Sequence, residues 1–119
     1  MLKYTQDHEW LDTSDAEMAV GITAHAVEQL GDIVYIELPE VDSEVTKGDE
    51  IVVIDSSKAA SGISAPVDGV ITAVNSEIAE HPELVNEDPA GQWFFRIRPT
   101  NPDDLEGLLD EDAYQALIG

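Results

Sequence analysis

One lysine among small side chains is the position in this sequence best suited to covalent chemistry. Lys58 lies in the run Ser56-Ser57-Lys58-Ala59-Ala60, and Lys3 and Lys47 are the only other lysines. Its amine can be acylated, and the small neighbours leave a modifying enzyme room to grip the segment and reach it. An ordinary solvated lysine is the more common finding at a protein surface, so both interpretations stay open on this pattern alone.

Other kinds of chemistry find little support in the residues. Cysteine is absent, which excludes disulfides, thiolate metal sites and cysteine nucleophiles, so sulfur redox chemistry would need an attached cofactor. His25 and His81 have no partner at metal or catalytic spacing. The acidic clusters Asp103-Asp104-Glu106 and Asp110-Glu111-Asp112 lack the alternating spacing and central glycine of a calcium loop. We therefore expect no catalytic and no metal site.

The charge of the chain narrows the classes of partner. In 119 residues, 26 acidic and 5 basic side chains give a net charge of −21, which repels nucleic acid and anionic membranes. No apolar run approaches the roughly 20 residues of a membrane span, and Met1–Tyr4 does not begin a secretory signal. We expect a cytoplasmic protein whose acidity serves docking to basic grooves, adaptation to salt, or general solubility.

The elements that would position Lys58 are mostly short strands. β-Branched and aromatic residues fill several runs, which turn residues such as Leu38-Pro39 and Lys47-Gly48-Asp49 separate. This pattern predicts a small antiparallel β-sandwich or barrel with Lys58 at the tip between two strands. The predicted strands are Glu17–Ile22, Ile33–Leu38, Ile51–Ile54, Val70–Val74 and Trp93–Arg98.

Helices are predicted at two places. The first runs from Thr23, which can cap its start, to Leu30, and Gly31 can end it in a left-handed conformation. The segment from Asp103 to Ile118 has leucines at helical spacing and predicts a helical hairpin broken near residues 107–110. The length favours one domain over residues 1–119.

The order of several motifs resembles that of the H-protein family of the glycine cleavage system. The matching segments are His8-Glu9-Trp10-Leu11, Val20-Gly21-Ile22-Thr23-Ala24-His25-Ala26, Leu30-Gly31-Asp32-Ile33-Val34, Ser57-Lys58-Ala59-Ala60-Ser61, Ala65-Pro66-Val67-Asp68-Gly69 and Pro82-Glu83-Leu84-Val85-Asn86. The likeness covers nearly the whole chain. Three positions depart from the pattern: Asp55 stands for the usual Glu, Ser57 for the usual Val and Gly62 for a frequent Asp.

The resemblance implies a fold and a function. The fold is the mainly β barrel-sandwich hybrid of lipoyl carriers, with a short helix after the first strands and C-terminal helices. Lys58 would carry a covalent lipoyl group, and the protein would be a non-catalytic shuttle for an aminomethyl group. Its partners would be glycine decarboxylase (P protein), the tetrahydrofolate-dependent aminomethyltransferase (T protein), dihydrolipoyl dehydrogenase (L protein) and a lipoate-attaching enzyme. The carrier would be a monomer that docks transiently.

The resemblance also draws attention to Glu9, whose carboxylate would contact the loaded arm. A solvated acid at a strand edge is the alternative for Glu9, and Trp10 is expected to pack in the core. Other functions also stay open: an accessory lipoyl donor, or an interaction module that is not lipoylated, as Asp55, Ser57 and Gly62 would allow. A biotinyl domain is disfavoured because Ser57 and Ala59, not methionines, flank Lys58.

Overall fold

Two sheets and several short helices make up the chain. The computed structural model describes residues 2–14 and 16–118, without the side chains of Pro102 and Asp104, so the outer bounds of the expected domain, Met1 and Gly119, lie outside the described residues. The strands are β1 Leu2–Tyr4, β2 Glu9–Asp12, β3 Met18–Ile22, β4 Ile33–Glu37, β5 Glu44–Val45, β6 Glu50–Ser56, β7 Ala60–Ser64, β8 Gly69–Val74 and β9 Phe95–Pro99. The helices are α1 Ala24–Leu30, α2 Ser76–Glu80, α3 Glu83–Glu87, a 3₁₀ helix Pro102–Gly107 and α4 Glu111–Ile118.

The two sheets share one hydrophobic core. The larger sheet has the strand order β1-β2-β3-β9-β8-β5, and the smaller has the order β4-β6-β7. All of the strand pairs are antiparallel. Fully buried Leu11 and Ile97 of the larger sheet belong to the same cluster as Ile54 and Ile63 of the smaller. This arrangement confirms the mainly β barrel-sandwich architecture that the sequence led us to expect.

The predicted strands are confirmed, with ends that shift by a few residues. The strand predicted at Ile51–Ile54, for example, runs from Glu50 to Ser56. Four strands, β1, β2, β5 and β7, are not among the predicted runs. Of these, β1 and β5 have only three and two residues, too few to carry a periodic pattern. These strands exist because longer neighbours, β2 and β8, supply their hydrogen-bonding partners.

The first helix forms as its capping residues predict. The Thr23 hydroxyl accepts a hydrogen bond from the Ala26 amide at 3.4 Å, and Gly31 ends the helix with φ = 74°. Val27 is buried, and Leu30 packs against the core. None of the helices in the described residues has the length and apolarity that a membrane span requires.

The C-terminal segment contains two helical pieces, separated near the predicted break. The first piece is a 3₁₀ helix and not the first arm of an α-helical hairpin, while the second is α4. Between them, the backbone of Leu109 makes two hydrogen bonds of 2.8 Å with Tyr4 on β1. Tyr114 of α4 is buried and stacks on Tyr4 with 4.7 Å between ring centroids. The segment thus closes over the edge of the larger sheet.

Candidate functional site

Lys58 lies at the tip of the hairpin between β6 and β7. The Ser56 amide donates to the Ala59 carbonyl at 3.0 Å, which closes a four-residue turn with Ser57 and Lys58 in its centre. The Ser56 hydroxyl donates to the same carbonyl at 2.6 Å and accepts from the Ala59 amide at 3.1 Å. Lys58 is exposed, as are Ala59 and Ala60. The turn is therefore closed by its own bonds while the amine stays accessible.

A second set of bonds ties this tip to the turn between α1 and β4. The Ser57 amide donates to the Asp32 carbonyl at 2.8 Å, and the Asp32 amide donates to the Ser57 hydroxyl at 3.2 Å. These reciprocal bonds join residues that are 25 positions apart in the sequence. They hold the backbone immediately before Lys58 against the body of the protein.

The aliphatic stem of Lys58 passes over Gly31. A Cβ atom at Gly31 would lie 3.3 Å from Cδ and 3.2 Å from Cε of Lys58, and 3.1 Å from the Ser57 hydroxyl. Gly31 also has φ = 74°, a conformation that residues with a side chain rarely adopt. Glycine at this position thus both ends α1 and leaves space for the lysine stem.

Asn86 of α3 fixes the turn that carries Gly31. Its side-chain amide donates to the Gly31 carbonyl at 2.8 Å, and its side-chain oxygen accepts from the Ile33 amide at 2.9 Å. The structure thereby joins three of the matching sequence segments, which contain Gly31, Lys58 and Asn86. The sequence identified these segments as similar to the family but gave no sign that they support one another.

The bonds of the tip yield a prediction about its rigidity. Ser57→Ala removes the acceptor of the Asp32 amide but keeps the backbone bond, so the free energy of unfolding should fall by no more than about 1 kcal/mol. The tip should become more mobile, and the NMR order parameters of the Lys58 and Ala59 amides should decrease. Ser61→Ala, which removes a hydroxyl outside the turn of the same hairpin, is the control. Unchanged order parameters in Ser57→Ala would contradict a role for this hydroxyl in holding the tip.

Glu9, the other residue singled out in the sequence, is buried in β2. Glu9 is only 2% exposed, and β2 lies between β1 and β3 in the sheet. The alternative of a solvated strand-edge acid is therefore wrong. The Thr5 hydroxyl donates to Glu9 Oε1 at 3.3 Å. Burial raises the pKa of Glu9 to about 7, the negative charge of Asp7 adds to the increase, and hydrogen bonds from Thr5 and the Ser64 backbone oppose it.

A cleft connects Glu9 with the lysine hairpin. Its volume is about 110 Å³, and its lining combines apolar and polar groups. The lining includes Glu9 and Asp7, the apolar Ile22 and Leu30, and Ser61 and Gly62 of the lysine hairpin. Gly62 contributes no side chain to this wall, and a Cβ atom there would lie only 2.5 Å from the Val52 carbonyl oxygen. Ser61 follows Lys58 by three residues, roughly 10 Å along an extended strand.

The sequence could not assign the polar surroundings of Glu9. Asp7 and Thr5 precede it in a turn where His8 has φ = 66°, which is uncommon for a residue with a side chain. Ser64 comes from β7, far along the chain. The closest sequence signal is the run of polar residues before β2, which marks a turn but not a buried carboxyl.

The histidines do not form a metal site. His8 Nδ1 lies 2.9 Å from the Tyr114 hydroxyl, and the rings of His8 and His25 are 4.6 Å apart. Burial, followed by the charge of His25, lowers the pKa of His8. His81 lies 3.5 Å from the carboxylate of Glu83. Among the acidic and histidine side chains that the structure describes, which do not include that of Asp104, no group of at least three could hold a metal ion.

Trp10 is confirmed as a core residue. Trp10 is 8% exposed, and its indole nitrogen donates a hydrogen bond to the Pro89 carbonyl at 3.1 Å. A Cβ atom at Gly21, opposite it on β3, would lie 2.5 Å from the indole ring. Trp10 therefore packs on a glycine that leaves space for it and stabilises the strand that carries Glu9.

Known proteins are similar to this chain in sequence and in fold over nearly its full length. The family model described as Glycine cleavage H-protein matches residues 2–119. The glycine cleavage system H protein 2 of Pseudomonas putida is 50% identical over 99% of this chain and 94% of its own length, and that of Thermotoga maritima is 50% identical over 97% and 94%. A crystal structure of a glycine cleavage system H protein from Mycobacterium marinum superposes with a TM-score of 0.89 at 36% identity and covers 99% of this chain and 96% of that one. The chain belongs to the glycine cleavage H-protein family.

Proposed function

We propose that this protein is the lipoyl carrier of a glycine cleavage system and that Lys58 is its attachment site. The observation that carries the proposal is the hairpin tip, where hydrogen bonds of Ser56 and Ser57 hold the turn and leave its lysine exposed. A carrier lysine needs these two properties together, since a modifying enzyme must reach its amine while the protein keeps it in a defined place. The domain that presents it would comprise residues 1–119.

The residues around Lys58 fit an amide-linked lipoyl group. The amine is exposed, the neighbours Ala59 and Ala60 are small, and Gly31 leaves space beneath the stem. When bound, the lipoyl group supplies a dithiolane that accepts an aminomethyl group and later undergoes thiol–disulfide exchange. The chain has no cysteine that would compete in this exchange.

Glu9 is the residue we propose to interact with the loaded end of the arm. It borders the cleft that also contains Ser61 and Gly62 of the lysine hairpin. The aminomethyl group carries an amine, and a protonated amine in this cleft would pair with the Glu9 carboxylate. The apolar side chains of Ile22 and Leu30 in the same cleft would exclude water from part of the arm.

The partners follow from this role. Glycine decarboxylase would load the carrier, the aminomethyltransferase would unload it, and dihydrolipoyl dehydrogenase would reoxidise it, while the carrier itself catalyses none of these reactions. A covalent arm keeps the group bound between docking events and presents it at high effective concentration. The charge of −21 favours fast encounter with basic surfaces on such enzymes.

Mass spectrometry tests the attachment site directly. The purified protein is incubated with lipoate, ATP and a lipoate-attaching enzyme, and intact mass and peptide mapping are then recorded. We expect a gain of one lipoyl group, located on Lys58 and not on Lys3 or Lys47. If Lys58 stays unmodified while a known carrier in the same mixture is modified, the protein is an interaction module without the carrier function.

A further inference from the structure

Two consecutive apolar side chains on β4 are exposed beside the lysine hairpin. Val34 is 62% exposed and Tyr35 is 48% exposed, although their neighbours Ile33 and Ile36 are buried. A regular strand would turn only one of two consecutive residues away from the core. Here the register between β4 and β6 shifts between Ile33 and Tyr35, and this irregularity lets both residues avoid the core.

This apolar pair lies close to the tip that carries Lys58. Tyr35 pairs with Asp55 on β6, and Ile33 pairs with Ser56, the first residue of the turn. At about 3.3 Å per residue along a strand, the pair is roughly 10 Å from the tip. An interface of the usual size, about 800 Å² per partner, centred on the amine of Lys58 would extend over this part of the surface.

Acidic side chains surround the apolar pair. Asp32 and Glu37 lie before and after it on the chain and are exposed, and half-buried Asp55 lies opposite on β6. An apolar centre with a charged rim is the usual composition of a protein interface. The complementary surface is an apolar recess rimmed by lysines and arginines.

We propose that Val34 and Tyr35, with the acidic rim of Asp32, Glu37 and Asp55, form the docking surface for the lipoate-attaching enzyme. The inference rests on the proposed function, because this enzyme docks here only if Lys58 is its substrate. In the attachment step the nitrogen of Lys58 forms an amide with the carbonyl carbon of an acyl phosphate of lipoate. The bond from that carbon to the phosphate oxygen breaks, the phosphate leaves with the bonding electrons, and the nitrogen loses a proton. Docking at Val34 and Tyr35 would bring the amine and the acyl carbon together.

The test compares the double variant Val34→Ser, Tyr35→Ser with matched controls. Val41→Ser and Leu117→Ser each remove an apolar side chain of similar exposure, 46% and 50%, from other parts of the surface. We expect kcat/KM for lipoylation of Lys58 to fall about tenfold in the double variant and to stay within about twofold in the controls. The thermal midpoint and circular dichroism of all variants should match the wild type, since the residues are exposed.

The outcomes separate this inference from the proposed function. Lipoylation of the wild type and of the double variant at equal rates would overturn the docking surface and leave the carrier function intact. A wild type that is not lipoylated at Lys58 would overturn both. If sedimentation shows that the wild type is a dimer and the double variant is a monomer, Val34 and Tyr35 contact a second copy of this chain and the proposal is wrong. The proposal is supported if the wild type is monomeric, kcat/KM for lipoylation falls about tenfold in the double variant, and the attachment rate of the wild type falls with added salt.

Discussion

Replacing Lys58 with arginine should abolish lipoate attachment and all carrier activity, with almost no change in the stability of the protein. The guanidinium group stays protonated and cannot form the amide, although it keeps the positive charge and most of the aliphatic stem. The stem passes over the space that the missing side chain of Gly31 leaves, which the stem of arginine can also do, and surface substitutions usually change the free energy of unfolding by less than about 0.5 kcal/mol. The measurement is glycine-dependent reduction of NAD⁺ with the purified partner enzymes, together with a thermal melt.

Lys47→Arg is the matched control for this experiment. Lys47 is an exposed lysine in the turn before β6, so the same substitution there tests for a general effect of losing a lysine amine. We expect the control to keep wild-type activity. Activity of Lys58→Arg close to that of the wild type would show that another group carries the aminomethyl unit, and a large fall in melting temperature would show that Lys58 has a structural role.

Glu9→Gln should stabilise the protein at alkaline pH and have little effect at acidic pH. The buried carboxyl of Glu9 has a pKa of about 7 in the folded protein, above its ordinary value of 4.5. The folded state therefore holds a proton that the unfolded chain releases between these two values. The contribution of Glu9 to stability is fully present below pH 4.5 and is lost as the pH rises to about 7. The full loss corresponds to about 3 kcal/mol.

Denaturant unfolding between pH 5 and pH 8.5 checks this expectation. Glutamine keeps the shape of Glu9 and can still accept the bond from Thr5, but it does not titrate. The difference in unfolding free energy between Glu9→Gln and the wild type should therefore grow with pH and level off above pH 7. Glu28→Gln removes a charge at an exposed position of α1 and controls for the high net negative charge. A difference that does not vary with pH would contradict the raised pKa.

The same variant also tests the proposed role of Glu9 in the loaded state. Without the carboxylate, the amine of the aminomethyl group loses its ionic partner in the cleft, while attachment at Lys58 should proceed at the wild-type rate. We expect the loaded Glu9→Gln carrier to release ammonia and formaldehyde faster than the loaded wild type. Equal release rates would show that Glu9 is a buried structural acid that does not interact with the loaded arm.

Residues with nearby partners could be interpreted from the sequence alone. Thr23 caps α1 through the amide of Ala26, three residues away, and Gly31 ends the same helix. The small residues around Lys58 predict an exposed tip, because a tight turn depends mainly on a few consecutive residues. The acidic composition and the lack of cysteine are likewise properties of the chain that folding does not alter. The sequence thus determined the mainly β class, the first helix and the candidate lysine.

The tertiary structure decided how those pieces work together. Asn86 reaches Gly31 across 55 positions and Asp32 reaches Ser57 across 25, and both contacts form only when distant elements pack together. Glu9 is buried because other segments surround its side chain, among them β7, whose Ser64 backbone hydrogen-bonds to it, whereas the sequence left a solvated acid at a strand edge open. Burial, support and exposure depend on contacts between segments far apart in the chain, which local residue patterns do not encode. The sequence therefore made Lys58 the candidate attachment site, while only the fold determined how its backbone is held and what surrounds it.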